Sequence, residues 1–109
     1  LAMRLARAWD NSQDDGEVLL RRLLTPVAKF WVCKRAPVMI AEAMEALGGN
    51  GYVEEGPLAR CYRQMPLNSI WEGSGNVMCL DTLRAMARHP KSIEAPIEMI
   101  TSMIEMVAA

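Results

Sequence analysis

The sequence has few of the residues that build metal sites, disulfide frameworks or membrane spans. It contains one histidine and three cysteines in 109 residues, and Cys33, Cys61 and Cys79 match no zinc-binding spacing. Widely spaced cysteines in odd number indicate reduced thiols, the ordinary state in the cytosol or in an organellar matrix. No apolar run approaches the roughly 20 residues of a membrane span, and no secretory signal is visible. We therefore expect a cytoplasmic or organellar-matrix protein without a metal site.

The sequence also has no excess of charge of one sign. The sequence contains twelve lysines and arginines and thirteen aspartates and glutamates, which gives a net charge of −1. The arginines near the start alternate with acidic residues, a pattern typical of a solvated helix face. This balance excludes the strongly basic composition that a general nucleic-acid binder needs.

Strong helix formers dominate the composition instead. The chain is rich in Ala, Leu, Met, Glu and Arg, it has few β-branched residues, and 51% of its residues are apolar. These properties predict an all-α fold. Leu1 already lies inside a helical pattern without an initiator Met, so we interpret residues 1–109 as a fragment of a larger polypeptide.

The apolar spacing and the turn residues predict six helices. Thr25 as N-cap and Pro26 at the first helical position predict that one of them begins there. Pro37 predicts either a kink near residues 33–37 or a break of that helix, and the sequence leaves both open. Ser74 is a predicted N-cap for a helix from Gly75 to about residue 87. The predicted ranges are 1–9, 17–24, 25–47, 57–64, 75–87 and 92–107. The predicted buried side chains include Val27, Phe30, Trp31, Val38, Val77, Leu80 and Leu83. The last predicted helix has an apolar stripe of Ile93, Ile97, Ile100, Ile104 and Val107.

The first unusual segment is the glycine motif, residues 45–52, which reads Glu-Ala-Leu-Gly-Gly-Asn-Gly-Tyr. It holds more glycines than a helix end requires, since one residue with positive φ usually suffices. Glycines let another group approach the backbone, and their exposed N–H groups can hold phosphate oxygens. It is neither a P-loop nor a dinucleotide fingerprint. Taken alone, the motif is explained equally well as an elaborate helix stop.

The second is the glutamate motif, residues 68–76, which reads Asn-Ser-Ile-Trp-Glu-Gly-Ser-Gly-Asn. It places the carboxylate of Glu72 on a loop between Trp71 and Gly73, just before a helix. A carboxylate that removes a proton from a carbon acid needs apolar walls, which raise its basicity, and a neighbour small enough to admit the substrate. The N-terminus of the following helix offers N–H donors to an anion. Taken alone, this motif is better explained as a capping loop with an incidental surface glutamate.

Together, and at this separation, the two motifs resemble the C-terminal helical domain of the acyl-CoA dehydrogenase family. The resemblance extends over roughly residues 28–88. In that family a glycine turn precedes a Tyr/Trp-Glu-Gly-Thr/Ser loop by one short helix, which here carries Arg60 and Arg63. The family fold combines an N-terminal helical domain, a β domain and a C-terminal four-helix bundle. The resemblance implies that residues 1–109 form part of this bundle, and that the whole protein is a homo-oligomer, a dimer or tetramer.

The resemblance also implies roles for individual residues. Glu72 matches the base that takes the α-proton of an acyl-CoA thioester while the β-hydride passes to FAD. Gly73 matches the glycine beside the substrate. The residues matched to FAD binding are Glu45, Gly48 and Gly49, which would hold the FAD of a neighbouring subunit, and Ser74 and Asn76, which follow the base. The implied function is FAD-dependent α,β-desaturation of an acyl-CoA in fatty acid metabolism.

Four positions depart from the usual family pattern and indicate a branch. Glu45 stands in place of Gln, Ser74 in place of Thr, Asn76 in place of Gln and Trp71 in place of Tyr. Residues 71–81 resemble most the alkylation-response (AidB-like) branch, as do residues 4–10 and 25–30. Members of that branch keep FAD and the glutamate, and they are associated with DNA-alkylation stress and DNA binding. The alternative implied function is therefore a DNA-associated stress flavoprotein with weak dehydrogenase activity.

Overall fold

The computed structural model describes residues 1–108, except for the side chains of residues 95, 103, 104, 107 and 108. The chain is 83% helical, and its described part contains no strand, which confirms the all-α prediction. The helices are α1 (Ala2–Asp10), α2 (Asp15–Ala46), α3 (Gly49–Tyr52), α4 (Pro57–Asn68), α5 (Gly75–Arg88), a 3-10 turn (Pro90–Ile93) and α6 (Glu94–Ala108). None of the helices in the described range has the length and hydropathy to cross a membrane. Ile104 and Val107 of the predicted apolar stripe lie outside the described side chains.

Helix α2 begins with a side-chain cap at Asp14. The carboxylate of Asp14 accepts a hydrogen bond from the N–H of Glu17 at 3.1 Å, and its carbonyl accepts one from Val18 at 2.9 Å. An aspartate at this position satisfies an N–H group that the helix itself leaves without a partner. The helix therefore starts at the end of the polar segment, two residues before the predicted short helix 17–24, with which it begins.

The predicted helix start at Thr25-Pro26 is wrong, because α2 continues through both residues for 32 residues in total. The Thr25 hydroxyl donates to the carbonyl of Arg21 at 2.6 Å instead of capping a new helix. A proline inside a helix costs about 3 kcal/mol. Leu20 and Leu23 are buried on the preceding turns, and each buried leucine contributes roughly 1.5–3 kcal/mol. Ala28 is buried after the proline as well, so burial on both sides of Pro26 offsets its cost, and the helix does not break at Pro37 either.

The first of two compact units contains residues 1–28 and the chain from Cys79 onward. Two bidentate ion pairs join its helices. Arg4 bonds Glu17 at 2.7 and 3.0 Å, and Arg22 bonds Asp81 at 2.8 Å through both nitrogens. The hydrogen bonds from Arg22 hold the pKa of Asp81 below its ordinary value of 3.8. The second pair therefore ties α2 to α5 with a charged carboxylate at neutral pH.

The second unit contains residues 29–78, and a close backbone contact shapes it. A Cβ added to the buried Gly51 would lie 2.2 Å from the carbonyl oxygen of Met44. Only glycine therefore lets α3 fold back onto the end of α2. Arg63 of α4 bonds Glu54 at 2.6 and 2.9 Å and, through these bonds, holds the pKa of Glu54 below its ordinary value. The glycine motif is thus fixed to α2 on one side, and the segment after it is joined to α4.

Helix α4 is longer than predicted, since residues 65–68 are helical rather than part of a loop. Pro66 lies in the last turn, where it removes one hydrogen bond. The turn closes with shorter-range bonds, from the N–H of Ser69 to Pro66 at 3.1 Å and from the N–H of Ile70 to Leu67 at 2.9 Å. Such tight final turns are common at helix C-termini.

The predicted burial of several apolar side chains is wrong for this chain. Helical periodicity identifies an apolar face, but it does not say whether the same chain covers that face. The side chains that were predicted to be buried and are exposed include Val27, Phe30, Trp31, Val77, Leu80 and Leu83.

Candidate active site

Glu72 has an unusual backbone conformation. Residues 69–74 connect α4 to α5, and in this connection Glu72 has a φ of +55° and Gly73 a φ of +106°. A left-handed conformation costs a non-glycine residue about 1–2 kcal/mol. Such strained residues accumulate at functional sites, where the surrounding structure holds them. The position that sequence analysis assigned to a catalytic base is therefore the one described non-glycine residue with positive φ.

Gly73 is required both by its φ and by its surroundings. A Cβ at this position would lie 2.4 Å from the terminal methyl of Met78 and 3.4 Å from a methyl of Val77. A φ of +106° is accessible to glycine and costly for other residues. The first turn of α5 thus comes close to the backbone directly after Glu72.

The ammonium group of Lys29 binds the backbone on both sides of Glu72. It donates to the carbonyl of Trp71 at 2.8 Å and to the carbonyl of Gly73. A lysine ammonium has three donors, and two of them are used here. One half-buried side chain on α2 therefore holds the peptide group before Glu72 and the peptide group after Gly73.

A second contact attaches the start of the connection to α2. The hydroxyl of Ser69 donates to the carbonyl of Cys33 at 3.0 Å. In an α-helix this carbonyl would accept from the N–H four residues later, but that residue is Pro37, which has none. The proline inside α2 thus leaves an acceptor that the serine occupies.

The side chains around Glu72 leave its carboxylate accessible in this chain. Trp71 is 56% exposed, and its indole N–H donates to the side-chain oxygen of Asn68 at 3.1 Å. Glu72 itself is exposed. The carboxylate therefore lies at the surface beside an exposed indole and a glycine.

The N-terminus of α5 follows the glutamate directly, as predicted. The carbonyl of Ser74 accepts the first helical bond, from the N–H of Met78 at 3.0 Å, which is the position of an N-cap residue. Asn76 is exposed in the first turn. The two predicted cofactor contacts of this motif thus lie at the positive end of a helix.

The glycine motif provides an open backbone at the end of α2. Glu45 is exposed in the last turn, and Gly48 follows the helix with a φ of +59°. A Cβ at Gly48 or at Gly49 would meet nothing within 4 Å. The motif therefore presents accessible main-chain groups to a ligand, as a cofactor contact requires.

The two motifs lie at different positions along α2. The glutamate motif contacts Lys29 and Cys33, whereas the glycine motif follows the last residue, Ala46. At about 1.5 Å per residue, these positions are roughly 20–25 Å apart along the helix. That the two motifs serve different FAD molecules stays a prediction.

Sequence analysis missed the contributions of Lys29 and Ser69. Nothing in the local pattern indicates that Lys29 reaches a loop 42 residues later. Pro37, however, carries a usable signal, because every proline inside a helix leaves the carbonyl four residues earlier without its helical donor. A hydroxyl partner for Cys33 could have been sought among the serines and threonines.

The family model for the C-terminal domain of acyl-CoA dehydrogenases matches residues 1–87. The chain is 63% identical to AidB of Escherichia coli (strain K12) over 86 residues, which cover 79% of this chain and 16% of that protein. It is 41% identical to acyl-CoA dehydrogenase family member 11 of Caenorhabditis elegans over 77 residues, 71% of this chain and 12% of that protein.

A mitochondrial dehydrogenase and a solved structure are also similar. The chain is 37% identical over 54 residues to the short-chain specific acyl-CoA dehydrogenase of Bos taurus, which covers 50% of this chain and 13% of that protein. The solved structure of the apo form of Bd2924 superposes with a TM-score of 0.73 at 31% identity, over 89% of this chain and 20% of that one. The chain thus spans a small fraction of its relatives, and it belongs to the acyl-CoA dehydrogenase family, as an AidB-like member within the C-terminal domain.

Proposed function

We propose that the whole protein is an FAD-dependent acyl-CoA dehydrogenase in which Glu72 removes the α-proton of the thioester. The observation that carries the proposal is the left-handed conformation of Glu72, held from both sides by Lys29. Strain that the surrounding structure maintains at a carboxylate is typical of an active site. Family membership supports the reaction class.

Each residue of the glutamate motif would have its own role in the reaction. Glu72 takes the α-proton and becomes a carboxylic acid. Gly73, which has no side chain, lets the thioester approach beside that carboxylate. When bound, FAD would accept the hydrogen of the β-carbon as a hydride, so that a double bond remains between the α- and β-carbons.

The residues proposed to hold FAD fit an extended cofactor with phosphates. The open main chain at Gly48 and Gly49 can approach it closely, and Ser74 and Asn76 offer polar groups at the start of α5. The carboxylate of Glu45 would repel a phosphate. Because Glu45 is exposed, its side chain can turn toward solvent while the backbone of the motif makes the contact. We propose that this contact is made to the FAD of a neighbouring subunit.

The test is acyl-CoA turnover by the whole protein with Glu72→Gln. The amide keeps the shape of the side chain but cannot accept the proton, so turnover should fall by about 10²–10⁴-fold, the usual contribution of a positioned general base. The matched control is Glu55→Gln, at another exposed glutamate outside both helices that flank the motif. Retained FAD in both variants shows that the fold is intact. Wild-type turnover by Glu72→Gln would contradict the proposal.

A second candidate is the DNA-associated alkylation-stress flavoprotein that the resemblance to the AidB-like branch implies, and the 63% identity to AidB supports membership of that branch. The described chain has a net charge of −1, so DNA contacts would need basic residues elsewhere in the whole protein. Retention of duplex DNA that weakens steeply with salt, together with a flavin that no acyl-CoA reduces, would favour this candidate. Turnover without DNA retention would exclude it.

A further inference from the structure

We propose that Lys29 is a positioning residue for the base, and that its ammonium group holds Glu72 in the left-handed conformation needed for proton removal. The proposal rests on the proposed function of Glu72. It concerns a contact between two parts of the chain that are 42 and 44 residues apart.

The two acceptors of Lys29 enclose the unusual backbone torsions. The carbonyl of Trp71 belongs to the peptide group that precedes Glu72, and the carbonyl of Gly73 belongs to the peptide group that follows Gly73. Both left-handed residues, with φ of +55° and +106°, lie between these two peptide groups. Holding both groups on one ammonium therefore restricts the torsions that aim the carboxylate.

The strength and the location of the contact suit this role. Hydrogen bonds from a charged donor are roughly twice as strong as neutral ones. Lys29 is half-buried, so its ammonium has exchanged part of its water shell for these carbonyls. Without them, the left-handed conformation of Glu72 would relax to a more extended one.

If Lys29 only stabilised the fold, its loss would lower the melting temperature and the FAD content. The start of the connection is held independently by the bond from Ser69 to Cys33 and by the bond from the Trp71 indole to Asn68. Loss of Lys29 should therefore release the backbone of residues 71–73 and leave the helices on either side in place. Under our proposal kcat falls while KM, FAD content and melting temperature stay near their wild-type values.

The experiment measures exchange of the substrate α-proton with D2O in the whole protein. The flavin is reduced beforehand, so that it cannot accept a hydride and proton removal is observed alone. The probes are straight-chain acyl-CoA thioesters from short to long. Lys29→Met removes the charge, and Lys29→Arg keeps it. Glu72→Gln removes the base, and Lys91→Met is the control at an exposed lysine in the other unit.

We expect Lys29→Met to exchange about 10²-fold more slowly, the usual effect of misplacing a reacting group by about 1 Å. Lys29→Arg should recover most of the rate, and Lys91→Met should match the wild type. Amide exchange should accelerate at residues 71–74 in Lys29→Met but not within α4. Exchange by Lys29→Met at the wild-type rate, while Glu72→Gln is inactive, would overturn the role of Lys29.

The two proposals fail in different ways. If the wild type exchanges no α-proton with any thioester, or if Glu72→Gln exchanges as fast, the proposed function itself is wrong. If Lys29→Met does not fold, Lys29→Gln, which keeps a neutral donor, takes its place. Slowed exchange at unchanged FAD content in that variant supports the proposal, and wild-type exchange overturns it.

Discussion

The hydrogen bond between Ser69 and Cys33 should stabilise the glutamate motif only as long as residue 37 is a proline. Pro37 has no N–H, so the carbonyl of Cys33 depends on the Ser69 hydroxyl, which lies 3.0 Å away. Replacing Pro37 with Ala supplies the missing N–H and restores the ordinary helical bond. The effect of Ser69→Ala should therefore differ between the two backgrounds, and a double-mutant cycle measures that difference.

The magnitude follows from the burial of the two partners. A neutral hydrogen bond contributes about 0.5–1.5 kcal/mol net, and a fully buried group left without a partner costs about 1–3 kcal/mol. Cys33 and Ser69 are both half-buried, so we expect about 1 kcal/mol for Ser69→Ala in the wild type. Since 1.4 kcal/mol corresponds to a factor of ten, this is about fivefold in an opening equilibrium.

Native-state amide exchange in the whole protein is the assay, because it reports local opening without global unfolding. The amides of Ile70 and Trp71, which donate to Leu67 at 2.9 and 3.1 Å, are the reporters. Ser69→Ala should accelerate their exchange about fivefold in the wild type and by about twofold or less beside Pro37→Ala. An equal acceleration in both backgrounds would show that the proline does not create the acceptor.

Three further predictions concern the backbone and one ion pair. Gly51→Ala should lower the free energy of unfolding by about 1–3 kcal/mol, because the new Cβ would lie 2.2 Å from a carbonyl oxygen. Gly49→Ala should leave the free energy of unfolding unchanged, since the space around that position is open. Thermal unfolding of the FAD-free protein compares the two variants. Glu72→Gly should be more stable than Glu72→Gln by about 1 kcal/mol, since glycine relieves the left-handed strain, and equal stabilities would speak against that strain. Asp81→Asn should cost about 0.5 kcal/mol at neutral pH, discounted for the exposure of the pair. Because Arg22 lowers the pKa of Asp81 in the folded protein, the full loss of stability should be observed above pH 3.8, the ordinary pKa of the group. The loss should disappear as the pH falls through the lowered pKa of the folded state, and denaturant unfolding at several pH values measures it.

The sequence predicted the all-α class and the start of α5 because both depend on local properties. Helix formers dominate the composition, and Ser74 followed by Gly75 marks a helix start that the structure confirms. The two motifs predicted the family because their residue types and spacing are specific in combination. The catalytic and cofactor roles of Glu72, Gly73 and the other matched residues stay predictions.

Other features depend on tertiary contacts that local patterns do not contain. The continuity of α2 through Pro26 goes with tertiary burial on both sides of the proline, at Leu20 and Leu23 before it and at Ala28 after it. The contact from Lys29 to the glutamate motif depends on how the chain returns to α2 after more than 40 residues. The exposure of Val77 could not be predicted either, because an apolar stripe does not identify what covers it.

The visible spectrum of the anaerobic whole protein shows whether Glu72 acts as the base. A panel of acyl-CoA thioesters is added to the wild type and to Glu72→Gln, and the flavin absorbance is followed. At least one thioester should bleach the flavin of the wild type, and none should bleach the flavin of Glu72→Gln on the same timescale. A flavin that no thioester bleaches, or equal bleaching of both proteins, would contradict the assignment of Glu72 as the base.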